Sequence, residues 1–431
     1  MSLPIFANRT RVGTIETEAG GPRIRYEQNW RDSDEAFPIS LTMPLSAPEW
    51  GADVAAPWLM NLLPEGEPLR AMTRILGVAG DDIIGLISET GRDLAGALTI
   101  GQPRPSEREE FVPIGSADQI ERIIEELPAK PFLVGEEGVS MSLAGAQDKL
   151  PLALVKDALA IPVHGAPSTH ILKPDNPRLF GSVQNEALCM VLARRCGLHV
   201  AEVITGVAGK RSYLLVTRYD RVDRAGRVHR LHQEDFCQAL GRPPAAKYEH
   251  NRSGIRGPSL GEMFGLVRAH MTARDITRLL DAVIFNVAVG NVDSHAKNYS
   301  ILLFPDRSEL APLYDLMSGL AWPNITQNHA QDIGGQRRGR HIYARHWRRM
   351  AEAAGLAGPA TVRRVGQLVG RLLANLPTAV DEVAAMPAGG AMLGEFADRI
   401  AERARDVMNH ATQEGGPEAE EGPASLGRAG E

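Results

Sequence analysis

The sequence predicts an α+β fold in which a small N-terminal α+β subdomain precedes two lobes, the second of them mainly helical. Short apolar segments separated by Gly and Pro fill the first hundred residues, strands around one helix follow, and helical periodicity dominates beyond residue 231. The chain has 431 residues and is 43% hydrophobic, so it can bury more than one core. We therefore expect an N-terminal subdomain (1–105), a linker with a short helix (106–130), a strand-rich lobe (131–230), a helical lobe (231–411) and a disordered acidic tail (412–431).

The N-terminal subdomain and the linker are predicted from runs of β-branched and apolar residues between turn signals. Residues 11–16, 23–26 and 39–43 read as strands. Residues 68–76 and 117–127 have the apolar spacing of amphipathic helices.

The strand-rich lobe is predicted to hold strands at 150–155 and 169–174, a helix at 183–196, and a hairpin made of 203–205 and 212–217. Beyond it the periodicity predicts one short strand at 300–304. It also predicts helices over 232–240, 260–270, 274–289, 361–376 and 394–410.

Composition excludes several classes of function. The net charge of −6 argues against non-specific nucleic-acid binding by the chain as a whole. The first ten residues lack a cleavable leader pattern, and no apolar run is long enough to cross a bilayer. Cys189, Cys196 and Cys237 have no zinc-ligand spacing and read as reduced core thiols. We therefore expect a cytoplasmic protein that does not contact membranes.

One loop carries most of the chemistry. Between an apolar helix and a short strand lie an acid, an imidazole, a cation and an amide: Asp293, His295, Lys297 and Asn298. Asp293 and Asn298 are five positions apart, the spacing of the catalytic Asp and the metal-binding Asn in protein kinases. A second acid, Asp315, follows the next strand, where kinases place another metal ligand. The alternative is a polar loop whose Asp and Asn only cap turns.

The strand-rich lobe offers the matching nucleotide-binding groups. A loop of small residues precedes the strand at 150, and its backbone N–H groups can approach phosphates because few side chains obstruct them. Its candidate residues are Ala144, Gly145, Ala146, Gln147 and Lys149. Lys173 ends a strand and Glu186 lies on the following helix, the order of the ion pair that fixes the ATP-binding lysine of kinases. A crossover begins at Arg218–Arg221, the natural place for a hinge that hydrogen-bonds adenine through its backbone.

These segments together resemble the HipA-type serine/threonine kinases, toxins of bacterial type II toxin–antitoxin modules. The resemblance covers nearly everything except the acidic tail and implies a two-lobed, protein-kinase-like fold. The segments that carry it are Asn61–Gly66, Gly91–Ala97, Ser142–Lys149, Thr169–Lys173, Asn185–Glu186, Arg218–Arg221, Gln233–Asp235, Asp293–Asn298 and Tyr314–Met317.

The resemblance implies a role for each matching position. Asp293 would be the catalytic base, with His295 and Lys297 beside it, and Asn298 and Asp315 would bind Mg²⁺. Lys173, paired with Glu186, would contact the phosphates of ATP. The adenine site would be lined by Thr217, Arg218 and Tyr219; the family is expected to have an acidic residue where this chain has Thr217.

Regulation and partners are implied as well. A serine before the small-residue loop would be autophosphorylated and silence the enzyme; Ser142 occupies that position, and Ser140 is the alternative. The family implies a HipB-like antitoxin with a helix-turn-helix domain, operator DNA bound through the toxin–antitoxin complex, and an aminoacyl-tRNA synthetase such as glutamyl-tRNA synthetase as substrate.

A basic cluster in residues 334–349 is a candidate surface for DNA or partner contact, although a solvated charged face is the default interpretation. Its candidate residues are Arg337, Arg338, Arg340 and Arg345. Two other functions stay open: a small-molecule or lipid kinase with the same machinery, and a pseudokinase-like co-repressor module that binds without catalysis.

Overall fold

The computed structural model describes residues 2–18, 20–101, 109–390 and 392–415. Most of the predicted acidic tail, residues 416–431, and the start of the predicted linker, residues 106–108, lie outside these described residues.

The first hundred residues form an antiparallel sheet covered by helices. Its strands run in the order β4-β3-β2-β1-β5, with bounds β1 (Ser2–Ala7), β2 (Thr10–Glu18), β3 (Gly21–Tyr26), β4 (Glu49–Trp50) and β5 (Leu98–Ile100). The helices are α1 (Gln28–Arg31), α2 (Ala52–Met60), α3 (Gly66–Leu76) and α4 (Ile83–Thr90). The predicted strands at 11–16 and 23–26 and the helix at 68–76 are confirmed.

The predicted strand at 39–43 is wrong. Ser40 and Met43 form only an isolated bridge across a turn. The polar groups of the turn bind a distant carboxyl group instead of a neighbouring strand. Ser40 Oγ and the Leu41 N–H donate to Glu234 over 2.6 and 2.8 Å. A tertiary contact therefore overrides the strand propensity of these residues.

The second sheet has six strands in the order β10-β11-β9-β7-β8-β6. Its bounds are β6 (Glu110–Pro113), β7 (Leu150–Val155), β8 (Ala158–Val163), β9 (His170–Pro174), β10 (Val203–Ala208) and β11 (Arg211–Thr217). Helices α5 (Ala117–Glu126) and α6 (Ser182–Arg195) accompany it. The predicted hairpin, the strands at 150–155 and 169–174, and both predicted helices are confirmed. The strand at 110–113 was not predicted; it pairs with β8 at the edge of the sheet.

The remaining chain is mainly helical. Its helices are α7 (Phe236–Ala239), α8 (Leu260–His270), α9 (Ala273–Val289), α10 (Ala344–Ala353), α11 (Gly358–Ala384) and α12 (Met392–His410). Small antiparallel ladders join them: β12 (Arg221–Arg224), β13 (Arg227–Arg230), β14 (His232–Asp235), β15 (Ser300–Leu303), β16 (Ser308–Leu310), β17 (Asn328–Ile333) and β18 (Gln336–Arg338). The buried core of this part includes Phe264, Phe285, Trp347 and Phe396.

The predicted helix at 232–240 is wrong over its first half. Residues 232–235 form β14, which pairs with β15, and only one helical turn follows. Asp235 ends the strand and caps that turn, because its carboxylate accepts the Gln238 N–H over 2.8 Å. The predicted helices at 260–270, 274–289, 361–376 and 394–410 are confirmed, and α11 extends beyond the predicted helix at both ends.

Glu234, on β14, gives the contact between the two parts of the chain a pH dependence. Burial raises the pKa of this carboxyl to about 8, and the Ser40 and Leu41 donors offset only part of the effect. A folded-state pKa above the unfolded value means that stability falls as pH rises toward 8. Glutamine cannot ionise, so the unfolding free energy of Glu234→Gln should not fall with pH in this way. We expect it to rise relative to that of wild type by on the order of 3 kcal/mol as the pH goes from 5 to 8. Urea unfolding across this pH range measures the difference; parallel pH profiles would contradict it.

Candidate active site

The catalytic loop is positioned by the end of α9. Gly290 ends the helix in the left-handed region, at φ 68°, a conformation that favours glycine. Asn291 then bonds Asn286 through its amide and accepts the Asp293 N–H over 3.1 Å. Asn298 Nδ2 donates to the Asp293 carbonyl over 2.7 Å. The loop therefore holds the predicted acid and the predicted amide ligand together through backbone contacts.

The Asp293 carboxylate is 63% exposed and accepts a hydrogen bond from the Tyr248 hydroxyl. Burial, followed by the charge of Asp293, raises the pKa of Tyr248, so this phenol stays protonated as a donor. His295 packs edge-on against the Tyr248 ring, and its Nε2 lies 4.0 Å from Asp293 Oδ1. Burial lowers the pKa of His295 to about 4, so the imidazole is neutral near pH 7. The Asp293 side chain is thus open to solvent and lies beside two neutral rings.

Lys297 joins the loop to the N-terminal subdomain. Its buried ammonium donates to Asn61 Oδ1 over 2.7 Å and lies 3.4 Å from Glu65 Oε1 and 3.8 Å from Asp235 Oδ2. Lys247 donates to the other oxygen of Glu65 over 2.9 Å. Because three oxygens already surround Lys297, its position fits a role in holding the loop rather than one in direct proton transfer.

Lys173, Glu186 and Asp315 form a buried ion-pair cluster. The Lys173 ammonium lies 2.6 Å from Glu186 Oε1 and 2.5 Å from Asp315 Oδ1. Burial alone would raise the pKa of Asp315, but the Lys173 and Lys149 ammoniums lower it to about 2. Asp315 also has φ +58°, an uncommon conformation for a non-glycine residue that concentrates at functional sites.

The small-residue loop is fastened to the N-terminal subdomain by its backbone. The Gly145 carbonyl accepts the Glu65 N–H over 3.0 Å, and the Ser140 carbonyl accepts the Asp93 N–H over 3.1 Å. Gly145 has φ +107°, and a Cβ there would lie 2.7 Å from Lys149 Nζ. Lys149 donates to the Ala144 carbonyl over 2.6 Å. Burial lowers the pKa of Lys149 to about 8 although Asp315 partly offsets this.

The two candidate serines differ in exposure. Ser142 is fully buried and its hydroxyl donates to the Leu62 carbonyl over 3.0 Å. Ser140 is less buried, and its hydroxyl donates to the Glu89 carbonyl over 2.6 Å. Phosphate could therefore reach Ser142 only if the loop first leaves the N-terminal subdomain.

The residues of the predicted hinge already make several hydrogen bonds within the protein. The N–H groups of Thr217 and Arg218 donate to the carbonyls of Glu202 and Thr169, over 2.9 Å each. The Arg218 guanidinium is buried and bonded to Asp220. The Tyr219 ring lies at the cleft, 5.8 Å from the Tyr314 ring to which it is stacked.

One cleft of about 260 Å³ gathers the predicted residues. Its lining includes Ala144, Gly145, Ala146, Gln147, Lys149, Lys173, Thr217, Arg218, Tyr219, Asp293, His295, Lys297, Asn298 and Asp315. Glu186 lies behind Lys173, and Ser142 lies outside the lining. Asn61, Gln233 and Lys247 also line the cleft, and Tyr248 touches Asp293, but the sequence assigned these residues no role. Lys247 and Tyr248 stand in an irregular segment without any periodic signal.

The cleft suits a divalent cation with oxygen ligands. Asn298 and Asp315 both line it, and the low pKa of Asp315 keeps that carboxylate ionised near pH 7. Another acidic group, Glu249 with His250 and Asp332, is already satisfied by protein contacts. Glu249 accepts from Arg256 over 2.6 Å, and His250 Nε2 lies 3.0 Å from Asp332.

The basic cluster divides into two parts. Arg337, Arg338 and Arg340 line a second groove, which adjoins the cleft at Asp293. Arg345 instead donates to the Glu414 carbonyl over 2.9 Å and lies over the Tyr343 ring.

Comparison with known proteins agrees with this geometry. Residues 3–101 match the model of the HipA N-terminal domain, and residues 141–380 match that of the HipA-like C-terminal domain. The chain belongs to the HipA family. It is 38% identical to "Putative kinase Y4mE" of Sinorhizobium fredii, over 89% of this chain and 92% of that protein. It is 30% identical to the serine/threonine-protein kinase toxin HipA of Shewanella oneidensis, over 90% of each chain.

The HipA fold extends over almost the whole chain. The structure of Shewanella oneidensis HipA with HipB and operator DNA matches at a TM-score of 0.81 and 28% identity, covering 95% of this chain and 96% of that one. The predicted two-lobed, kinase-like α+β fold is therefore confirmed. Within the described part of the chain, every helix is too short or too polar to cross a bilayer.

Proposed function

We propose that this HipA-family protein is a Mg·ATP-dependent protein serine/threonine kinase that acts as the toxin of a type II toxin–antitoxin module. The observation that carries the proposal is the joint placement of Asp293, Asn298, Asp315 and the Lys173–Glu186 pair around one cleft. A module that only binds a partner has no need of both a base and oxygen ligands for a cation.

The residues of the cleft support the transfer of the γ-phosphoryl group of ATP to a hydroxyl. The Asp293 carboxylate orients the acceptor hydroxyl and takes its proton as the oxygen–phosphorus bond forms and the bond to ADP breaks. Lys173 and Lys149 place positive charge where the phosphates would lie. Mg²⁺, held by Asn298 and Asp315, would supply further charge neutralisation.

Autophosphorylation of Ser142 would silence this activity. The buried Ser142 hydroxyl sits where the small-residue loop meets the N-terminal subdomain. A phosphate carries about −1.5 to −2 charges near neutral pH, and burial without cations would be costly. Phosphorylation would therefore keep the loop away from the subdomain and remove it from the ATP site. Ser140, which is less buried, is the alternative acceptor.

The partners follow from the family. The Shewanella oneidensis relative was solved with HipB and operator DNA. We propose a HipB-like helix-turn-helix antitoxin for this chain, operator DNA bound through their complex, and an aminoacyl-tRNA synthetase, such as glutamyl-tRNA synthetase, as the substrate whose phosphorylation stalls translation.

The proposal is tested by incubating the purified chain with Mg²⁺ and ATP and mapping phosphate by mass spectrometry. We expect phosphate on Ser142 in wild type, and several-fold more kinase activity in Ser142→Ala, because the silenced fraction is lost. Ser140→Ala is the matched control and should behave as wild type. Phosphate on Ser140 alone would reassign the switch. No phosphate and no Mg·ATP binding would refute the kinase and favour a non-catalytic co-repressor module; transfer only to small acceptors would favour a small-molecule or lipid kinase.

A further inference from the structure

A second groove of about 960 Å³ opens beside the catalytic loop. Asn291, Asp293 and Met317 line both this groove and the nucleotide cleft, so the two meet at the proposed base. Strand β17 contributes Asn328, His329 and Ala330 to its lining. A chain segment lying in this groove would bring a hydroxyl to the Asp293 carboxylate.

The groove lining is rich in arginine. Arg337, Arg338, Arg340 and Arg403 all line it, and Arg338 and Arg340 are exposed. Asp293 is the one carboxylate among the described lining residues. Asp332 of β17 lies 3.7 Å from Arg337 Nε, and the charges of Asp406 and Glu402 act on Arg403. The groove therefore carries an excess of positive charge on a chain whose net charge is −6.

Among the described residues, two buried side chains in the groove each have one nitrogen without a hydrogen-bond partner. His329 and Arg403 are 4% and 9% exposed. His329 Nδ1 lies 3.1 Å from the Asn291 carbonyl, which assigns the hydrogen to Nδ1. Among the described residues, His329 Nε2 and Arg403 Nη1 have no hydrogen-bond partner. An unpaired buried N–H is costly, so a guanidinium in this state is ready for an acceptor.

Gly339 keeps the space beside these two groups open. A Cβ built on Gly339 would lie 2.8 Å from His329 Nε2 and would collide with Arg403 Nη1. Only a residue without a side chain leaves both nitrogens accessible from the backbone turn that separates Arg338 from Arg340.

Part of the groove lining is apolar. Trp322 and Ile325 line it together with Leu179. Phe180, whose carbonyl accepts the Trp322 indole N–H over 3.2 Å, is 75% exposed. Apolar and aromatic surface in and next to an arginine-rich groove matches a polypeptide with an apolar and an acidic side chain better than it matches a bare polyanion.

We propose that this groove, the acceptor groove, holds the substrate segment that carries the phosphorylated hydroxyl and selects segments with Asp or Glu near it. The inference rests on the proposed kinase function and adds to it the class of substrate. The Arg403 guanidinium and the exposed Arg338 and Arg340 would bind the carboxylate, since Arg and carboxylate form charge-assisted, often paired hydrogen bonds.

The test uses the full-length chain saturated with Mg·ADP and two fluorescein-labelled serine peptides that differ only in Glu against Gln. Fluorescence anisotropy should show about tenfold tighter binding of the Glu peptide. The discrimination should disappear in the Arg338→Glu/Arg340→Glu double variant and in Gly339→Ala, which displaces Arg403. Arg405→Glu, an exposed position on the same helix as Arg403, is the matched control and should keep it.

The outcomes separate the inference from the function on which it rests. Equal affinity for the two peptides, in a chain that phosphorylates itself, overturns the acceptor groove and leaves the kinase intact. Discrimination that survives both groove variants also overturns it. An RNA oligonucleotide that binds more tightly than the Glu peptide, and only when the arginines are present, assigns the groove to nucleic acid. A chain that fails to bind Mg·ATP or to label itself refutes the kinase and the inference together.

Discussion

Asp293→Asn is expected to lower the rate of phosphoryl transfer about 10³-fold while the protein stays folded. The side chain is 63% exposed, and an amide oxygen can still accept the Tyr248 hydroxyl, so packing changes little. The amide cannot take the proton of the acceptor hydroxyl. Single-turnover transfer of labelled phosphate from ATP measures the loss, and thermal unfolding shows whether the fold is kept.

Two comparisons make this prediction specific to the base. Asp306→Asn removes a carboxylate that is 75% exposed, outside the cleft, and should leave the rate unchanged. The affinity of Asp293→Asn for Mg·ATP should stay within about twofold of wild type, because the base acts in the transition state and not in nucleotide binding. Phosphoryl transfer by Asp293→Asn at the wild-type rate would remove Asp293 from its proposed role.

Elements with a long periodic signal could be predicted from the sequence. Helices α8, α9 and α12 bury an apolar face against the large core, and their apolar spacing reports that face. The predictions for 39–43 and 232–240 were wrong because the conformation of each segment depends on its contact with the other. Glu234 must leave the helical pattern to reach Ser40 and Leu41, nearly two hundred residues away in the chain. Local propensity carries no information about such a contact.

The candidate site also has features that the sequence predicts and features that depend on tertiary contacts. The sequence predicted that Lys173, Asp293, Asn298 and Asp315 would come together, and the structure places all four around one cleft. Their catalytic roles stay predictions. The sequence could not predict which side chains of the site are already bound by other protein groups. The Lys297 ammonium is surrounded by oxygens of Asn61, Glu65 and Asp235. The Arg218 guanidinium is bonded to Asp220.

Arg218 belongs to a buried ionic network that places the hinge against the N-terminal subdomain. Asp93 lies 3.0 Å from Arg221, 3.1 Å from Arg230 and 3.7 Å from Arg218. Asp220, the second carboxylate, also accepts the Gly96 N–H over 2.7 Å. Three guanidiniums therefore share two carboxylates in a place from which water is excluded.

Asp93→Asn is expected to cost about 3–5 kcal/mol of unfolding free energy, because it leaves buried guanidiniums without their charge partner. Burial alone would raise the pKa of Asp93, but the charges of Arg221, Arg218 and Arg230 lower it below its ordinary value. The stabilisation is therefore present above the unfolded pKa and is lost as pH falls through the folded one. Urea unfolding at pH 7 measures the loss, and wild type should approach the variant on acidification.

The control for this substitution is Asp34→Asn, an exposed position in the same subdomain, which should change stability by less than about 0.5 kcal/mol. A small effect of Asp93→Asn would mean that Asp220 alone compensates the charge of the arginines, and that Asp93 contributes little to the network. A large effect would show that Asp93 stabilises the contact between the N-terminal subdomain and the Arg218–Arg230 segment. The same network then holds both the Thr217–Tyr219 segment, which we propose contacts adenine, and the Asp93 backbone that bonds the small-residue loop. Loosening it should therefore weaken Mg·ATP binding together with the fold.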